Sequence, residues 1–280
     1  MRCTQWPRFK GGTSLRKLYA GQAGRFSTDL DFSTVQIDSD PDDVIALLIA
    51  TVDGLVVGPF TYGITERRGK WTITYRHSFG RGSDTLSSKL DVNPPPWLPP
   101  TTRGWRPLPV HELYGEPPLP QLQVIQLAEN VAEKISRLNR ASPARDMYDL
   151  RWIAANAVSL GVDTSLIRHL AVLKVWIDAN GVQAGRTWWK PGHESAAFDP
   201  DQWLRVRSEN EVDTEDIGAL TIPAPTAHEL SDALRKHYGF LRDLDADERV
   251  LAQARERDRS LALRLLTELP GRRLVGSSLY

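Results

Sequence analysis

The chain reads as an α+β protein, a mixed sheet flanked by helices followed by a helical C-terminal part. Three observations predict this. Between Leu55 and Val92, short runs rich in β-branched and aromatic residues alternate with polar, glycine-containing turns. Residues 94–120 are dense in proline, which is incompatible with a helix interior or a central strand. Beyond residue 121, apolar residues recur at helical spacing. The expected organisation is a core over 1–93, a stiff connector over 94–120 and a mainly helical domain over 121–280.

With 280 residues, 41% of them hydrophobic, the chain can bury a substantial core. Lys+Arg and Asp+Glu both number 35, so there is no global charge to attract a polyanion, and any nucleic-acid surface must be a local patch. The single cysteine, Cys3, excludes an internal disulfide and a cysteine-rich zinc site. No stretch approaches the roughly 18 apolar residues of a membrane span, and there is no signal-peptide pattern. A cytoplasmic monomer is the expectation.

In chain order, Trp6 to Lys10 is the only room for a strand before Gly11-Gly12-Thr13-Ser14-Leu15-Arg16-Lys17-Leu18. The glycine turn lets the backbone approach a ligand, and a cation-rich helix starting near Thr13 would aim free N–H groups at it. Phosphate oxygens suit such a place. Arg25-Phe26-Ser27-Thr28-Asp29-Leu30-Asp31-Phe32 follows. Read as a strand, it puts Asp29 and Asp31 on one face and Leu30 and Phe32 on the other. Paired carboxylates repel unless a cation lies between them, and magnesium is the natural oxygen-liganded tenant. Each half alone has an ordinary reading, a common turn and a solvated strand face. Their occurrence together, in this order, points to nucleoside triphosphate chemistry.

Asp38-Ser39-Asp40-Pro41-Asp42-Asp43 fails as a calcium loop, because its sixth position is Asp43 and its twelfth Ile49. Asp40 instead caps a helix with Pro41 at its first position and Val44 to Ala50 as its body. Strands are expected at Tyr62–Thr65, Trp71–Tyr75 and Leu86–Val92. In the last, Leu86, Leu90 and Val92 face one way and Lys89 and Asp91 the other. Asp91 is either a solvent-face residue of an edge strand or a third metal-binding carboxylate.

A short strand over Leu122–Leu127 precedes a helix over Ala128–Asn139, on which Leu127, Val131, Ile135 and Leu138 form an apolar stripe. Lys134 falls near the middle of that stripe, so it either snorkels or serves as an inward cation that neutralises a triphosphate. Ser142-Pro143 reads as N-cap and first residue of the next helix. On that helix Asp146 could simply complement the dipole, whereas Asp149 is past the first turn. Further helices are expected over Ser165–Ala179, Asp199–Val206, Ala227–Leu241 and Asp247–Leu269, with turns at Gly161, Gly181, Gly192 and Gly218. Arg186-Thr187-Trp188-Trp189-Lys190 could stack on single-stranded nucleic acid or could belong to the core. The histidines show no metal-binding spacing.

Three segments carry a family resemblance. FKGGTSLRKLY with RFSTDLDF, then Lys89-Leu90-Asp91-Val92, then AEKISRLNR with ARDMYDL, resemble the motifs of the AbiEii/AbiGii nucleotidyltransferase toxins. That family includes the MenT-type toxins of mycobacteria and belongs to the polymerase-β-like superfamily. The resemblance runs from residue 9 to about residue 155. It implies a polymerase-β-like fold and transfer of a nucleoside monophosphate from an NTP. Two Mg2+ ions would be held by Asp29, Asp31 and Asp91. Lys134 and Asp149 would be further functional positions, and Gly12, Thr13, Arg16, Lys17 and Lys134 would contact the triphosphate. The implied acceptor is the tRNA 3′ end and the implied partner an AbiEi-like antitoxin. Relatives carry a helical segment upstream, so a truncated N-terminus is expected. Two other readings stay open: the same chemistry on a protein or small-molecule hydroxyl, or a catalytically idle nucleotide-binding module.

Overall fold

A computed structural model describes residues 6–35, 40–77, 79, 85–113, 120–141, 143–180, 182–183, 186–187, 197–205 and 212–271. The chain divides into two compact units, each discontinuous in sequence. The first draws on Met1–Gly21, Phe26–Pro96 and Pro100–Ile125, the second on Gln22–Arg25, Trp97–Pro99 and Gln126–Tyr280.

The first unit is built on an eight-stranded mixed sheet in the order β3-β4-β5-β6-β2-β1-β8-β7. Its strands are β1 (Arg8–Lys10), β2 (Leu30–Ser33), β3 (Val56–Val57), β4 (Phe60–Arg67), β5 (Lys70–His77), β6 (Thr85–Asn93), β7 (Thr101–Gly104) and β8 (Gln121–Val124). The β4-β5-β6 part is the antiparallel meander that period-2 alternation predicts. At the centre, β2 pairs in parallel with β6 and antiparallel with β1. Helix α2 (Pro41–Val52) makes the crossover side of that parallel pair, capped by the Asp40 carboxylate accepting from the Asp42 N–H at 2.9 Å. Its Val44, Ile45 and Leu48 pack on Ile73 and Leu90, with Leu30, Phe32 and Val92 against the same cluster. Leu86 shares the Leu90 face in the β5–β6 register, as expected, but is half exposed there.

The proline-rich stretch does more than connect. Proline-free Thr101–Gly104 forms β7, antiparallel to β8 and at the sheet edge, where missing donors beside it cost least. Pro109 then opens the short helix α3 (Pro109–Leu113).

The second unit is helical: α4 (Leu127–Leu138), α5 (Ala144–Ala155), α6 (Ala157–Leu160), α7 (Thr164–Asn180), α8 (Pro200–Arg205), α9 (Ala227–His237), α10 (Ala246–Leu251) and α11 (Arg259–Thr267), with a two-stranded ribbon, β9 (Val182–Gln183) and β10 (Arg186–Thr187). Val131, Ile135, Leu150, Ile153, Leu170, Leu173 and Trp176 form its buried centre. Buried aromatic polar atoms are satisfied by backbone carbonyls: Trp176 Nε1 donates to Arg255, Trp203 Nε1 to Ile135 and the Tyr238 hydroxyl to Leu150.

Several helix ends differ from expectation. Pro143 precedes α5 as its cap residue, where it was expected inside the first turn, and Ser142 lies outside the described residues. The single helix expected over Asp247–Leu269 is broken into α10 and α11, because Ala254 adopts a left-handed φ of 53° that no helix can continue through. Helix α9 stops at His237 and a separate tight turn, Gly239–Arg242, follows. Gly161 and Gly218 do mark turns, with φ of 63° and 79°; Gly181 and Gly192 lie outside the described residues.

Candidate active site

In the first unit, β1 runs directly into a short helix, α1 (Gly11–Leu15), and the chain then widens into a turn of π-helical hydrogen bonding over Arg16–Ala20. The widening ends where the Gly21 N–H reaches back to the Arg16 carbonyl. The helix starts at Gly11, two residues earlier than expected, with the Gly11 backbone at φ 75°. That conformation favours glycine, and so does the space: a Cβ there would lie 2.0 Å from Oδ2 of Asp31. The glycine turn and the carboxylate are therefore in direct apposition.

Asp31 and Asp91 are register partners on neighbouring parallel strands, flanked by the pairs Leu30/Leu90 and Phe32/Val92. Strand alternation sends the apolar pairs into the α2 core and both carboxylates to the opposite face. Asp29 is not on the strand, which starts at Leu30. Its carbonyl oxygen instead accepts the hydroxyl proton of buried Thr13, so Thr13 ties the approach to β2 onto α1. Asp91 pairs with Lys89, two residues back on the same face of β6. Among the described residues, no three acidic, histidine or cysteine side chains are gathered closely enough to hold a metal. What is present is a partly exposed carboxylate pair at one level of the sheet, with a third acid two residues before Asp31. This donor set suits a hard divalent ion, which would offset the repulsion of the pair.

Arg16 and Lys17 follow α1. The Arg16 guanidinium lies over the Phe26 ring at 4.8 Å and the Lys17 ammonium over the Trp105 ring at 5.0 Å. Burial lowers both pKa values from their ordinary range, and the Arg16 charge lowers that of Lys17 further. Gly12 is buried within α1.

In the second unit Lys134 is enclosed, not snorkelling. Its Nζ donates to Asp146 Oδ1 and to Asp149 Oδ2, each at 2.8 Å, and the side chain is only 3% exposed. Asp149 also accepts both Nε and Nη2 of Arg25, at 3.1 and 3.2 Å, and Asp146 accepts Nη1 of Arg137 at 3.1 Å. Desolvation works against the Lys134 ammonium, but the two carboxylates outweigh it and hold its pKa above the usual lysine value. Asp146 is held below the usual carboxylate range: burial opposes its charge, and Lys134 and Arg137 more than compensate. Asp146 is fully buried, so the dipole reading gives way to an ion-pair role. Asp146, Arg25 and Arg137 are the members of this network that the sequence alone left without a site role. Arg25 enters the unit with Gln22–Arg25, a segment also held by Tyr148 Oη donating to the Ala23 carbonyl and Thr221 Oγ1 donating to that of Gln22. Trp188, Trp189 and Lys190 lie outside the described residues, so the aromatic-basic reading of that stretch has no structural counterpart here.

A mixed sheet presenting paired carboxylates beside a glycine turn belongs to the architecture of nucleotidyltransferases, and the comparisons agree. The family model for "Nucleotidyl transferase AbiEii toxin, Type IV TA system" matches residues 4–263, and the chain belongs to that family. It is similar to the solved structure of MenT4, a nucleotidyltransferase toxin of Mycobacterium tuberculosis, at 35% identity and a TM-score of 0.78 over 96% of this chain and 87% of that one. Two Helicobacter pylori structures resemble it more distantly. A putative nucleotidyltransferase is 15% identical with a TM-score of 0.44, covering 86% of this chain and 90% of its own. JHP933 is 14% identical with a TM-score of 0.42, covering 95% and 91%. No curated protein sequence matches. The chain is thus a nucleotidyltransferase toxin of a type IV toxin–antitoxin family, whose systems pair a toxin with an antitoxin. Among the described residues, no helix is long and apolar enough to cross a membrane.

Proposed function

We propose that this toxin transfers a nucleoside monophosphate from an NTP to the 3′ end of tRNA, blocking aminoacylation and hence translation. The observation that supports it most is the register pairing of Asp31 with Asp91 beside Gly11. Asp29, Asp31 and Asp91 would hold Mg2+, as one or two ions, which when bound supplies charge neutralisation at the phosphates and lowers the acceptor hydroxyl's pKa. Gly11 keeps the backbone close to Asp31, Gly12 would add backbone contact to the triphosphate, and Thr13 fixes the Asp29 backbone. Arg16 and Lys17 carry the triphosphate charge. Lys134, kept protonated by Asp146 and Asp149, is assigned to the same reaction by its place in the family motif. The acceptor 3′ oxygen attacks the α-phosphorus, the bond to the β-phosphate oxygen breaks and pyrophosphate leaves. Asp91 would take the hydroxyl proton.

The protein is incubated with Mg2+, total tRNA and each labelled NTP in turn, and label is followed into RNA or protein. Label in RNA with at least one NTP, abolished by Asp29→Ala/Asp31→Ala, is the expected result. Label confined to protein, or transfer undiminished in the double variant, overturns the proposal. An AbiEi-like antitoxin is the expected partner, with co-expression restoring growth.

A further inference from the structure

The first unit carries a concentration of cations and aromatic rings that no metal or triphosphate contact accounts for in full. Around the wide turn Arg16–Ala20, three cation–aromatic pairs lie side by side: Arg16 over Phe26, Lys17 over Trp105, and Arg103 over Tyr19 at 4.8 Å. A fourth cation is tied to the same turn, since the Arg106 N–H donates to the Lys17 carbonyl at 2.8 Å and the Arg106 side chain passes over Gly21, whose missing Cβ would sit 3.7 Å from Arg106 Cβ. Arg103 and Arg106 are exposed and belong to β7 and the residues just after it, the stretch that sequence suggested was a bare connector.

Two features mark this as a binding surface. Four cations are gathered with no carboxylate in an ion pair with any of them among the described residues, although the whole chain is charge-balanced. An aromatic face orients a cation and leaves its charge uncompensated. Second, Arg16 Nε and Trp105 Nε1 are buried without a hydrogen-bond partner among the described residues. Unmet donors beside cations that have no ion pair among the described residues call for an anion with many acceptor oxygens.

We infer that Arg103, Trp105, Arg106 and the half-exposed Phe26 form a docking surface for a single-stranded polynucleotide, with phosphates on the two arginines and bases against the aromatic rings. A triphosphate on Arg16 and Lys17 alone would leave Arg103 and Arg106 unused. A phosphate chain with bases uses both, and rows of cations interleaved with rings are how proteins hold single strands without reading sequence. Because α1 joins this turn to Gly11, against Asp31, the surface adjoins the carboxylate pair within one unit. The inference rests on the nucleotidyl-transfer reading and names where the acceptor strand lies.

The test is binding of a short, labelled single-stranded oligoribonucleotide to the full chain by fluorescence anisotropy over a salt series, with NTP binding measured in parallel. Arg103→Ser/Arg106→Ser is expected to weaken oligonucleotide binding roughly tenfold and to lower the log–log salt slope by about 1.4, two phosphate contacts at ~0.7 each. NTP affinity should be unchanged. Arg103→Lys/Arg106→Lys should restore the slope, which separates charge from folding. Trp105→Leu should weaken binding with the slope retained. Wild-type oligonucleotide affinity and slope in the double serine variant would overturn the inference, as would an equal loss of NTP binding. If the oligonucleotide binds as expected but no NTP is ever transferred to RNA, the reaction proposed above fails and the docking surface stands.

Discussion

Gly11 leaves no room for a side chain because Asp31 occupies the space: a Cβ at Gly11 would fall 2.0 Å from the Asp31 carboxylate oxygen. Gly11→Ala must therefore push Asp31 aside and also hold alanine at a φ of 75°, at about 1–2 kcal/mol for the backbone alone. A carboxylate displaced by about an ångström costs on the order of a hundredfold in rate. Nucleotide transfer should fall by that factor while thermal unfolding remains cooperative. A variant that transfers nucleotide at the wild-type rate would show that the apposition of turn and acid is incidental.

Lys89 competes for Asp91. Their pair is about half exposed, so it contributes at most ~1 kcal/mol to stability. Lys89→Ala should leave the melting temperature nearly unchanged and lower the Mg2+ concentration for half-maximal transfer a few-fold. A Mg2+ titration of initial rates decides this, and an unchanged midpoint counts against Asp91 as a ligand.

The Lys134 network predicts an unusual pH response. In the wild type, Asp146 has a depressed pKa, so its contribution to stability is present above the unfolded value near 4 and is lost as pH falls through the lower folded value. Lys134→Met removes the ammonium and leaves two buried carboxylates with the arginines alone, a loss of about 3–5 kcal/mol. Desolvation then pushes the Asp146 carboxyl upward, reversing the sign. The variant's deficit should shrink on acidification from neutral to about pH 5, where the wild type changes little. Melting temperatures across that range test it, and a deficit independent of pH would mean that the carboxylates are not the source.

Glu129 provides a comparison outside the proposed chemistry. Its buried carboxylate accepts the backbone N–H groups of Trp97 and Leu98 and the Lys174 ammonium at 2.8 Å. Glu129→Gln should destabilise by about 2–4 kcal/mol, since the Lys174 charge loses its main partner. Transfer per folded molecule should be retained, as read by rate against the folded fraction from circular dichroism.

Much of this was legible in the residues. The meander strands and the apolar stripe of α4 follow from periodicity, and Lys134 sitting mid-stripe announced an inward cation. Its partners were only half readable. Asp149 lies on a neighbouring helix, but Arg25 is 124 residues away, a pairing that no local pattern encodes. Asp29 read as part of the strand because alternation ignores competing hydrogen bonds, and here the Thr13 hydroxyl takes its carbonyl. β7 was hidden because flanking prolines masked four residues that an edge position tolerates.

The helical unit borrows Gln22–Arg25 and Trp97–Pro99 from the first half of the sequence. No single cut can separate the two units intact. Severing the chain after Ile125 strips Arg25 from Asp149 and the 97–98 amides from Glu129, so each fragment alone inherits charges or donors whose counterparts travel with the other. Complementation of such halves would have to restore both borrowed strips at once, which makes joint refolding, not independent expression, the route to a working split enzyme.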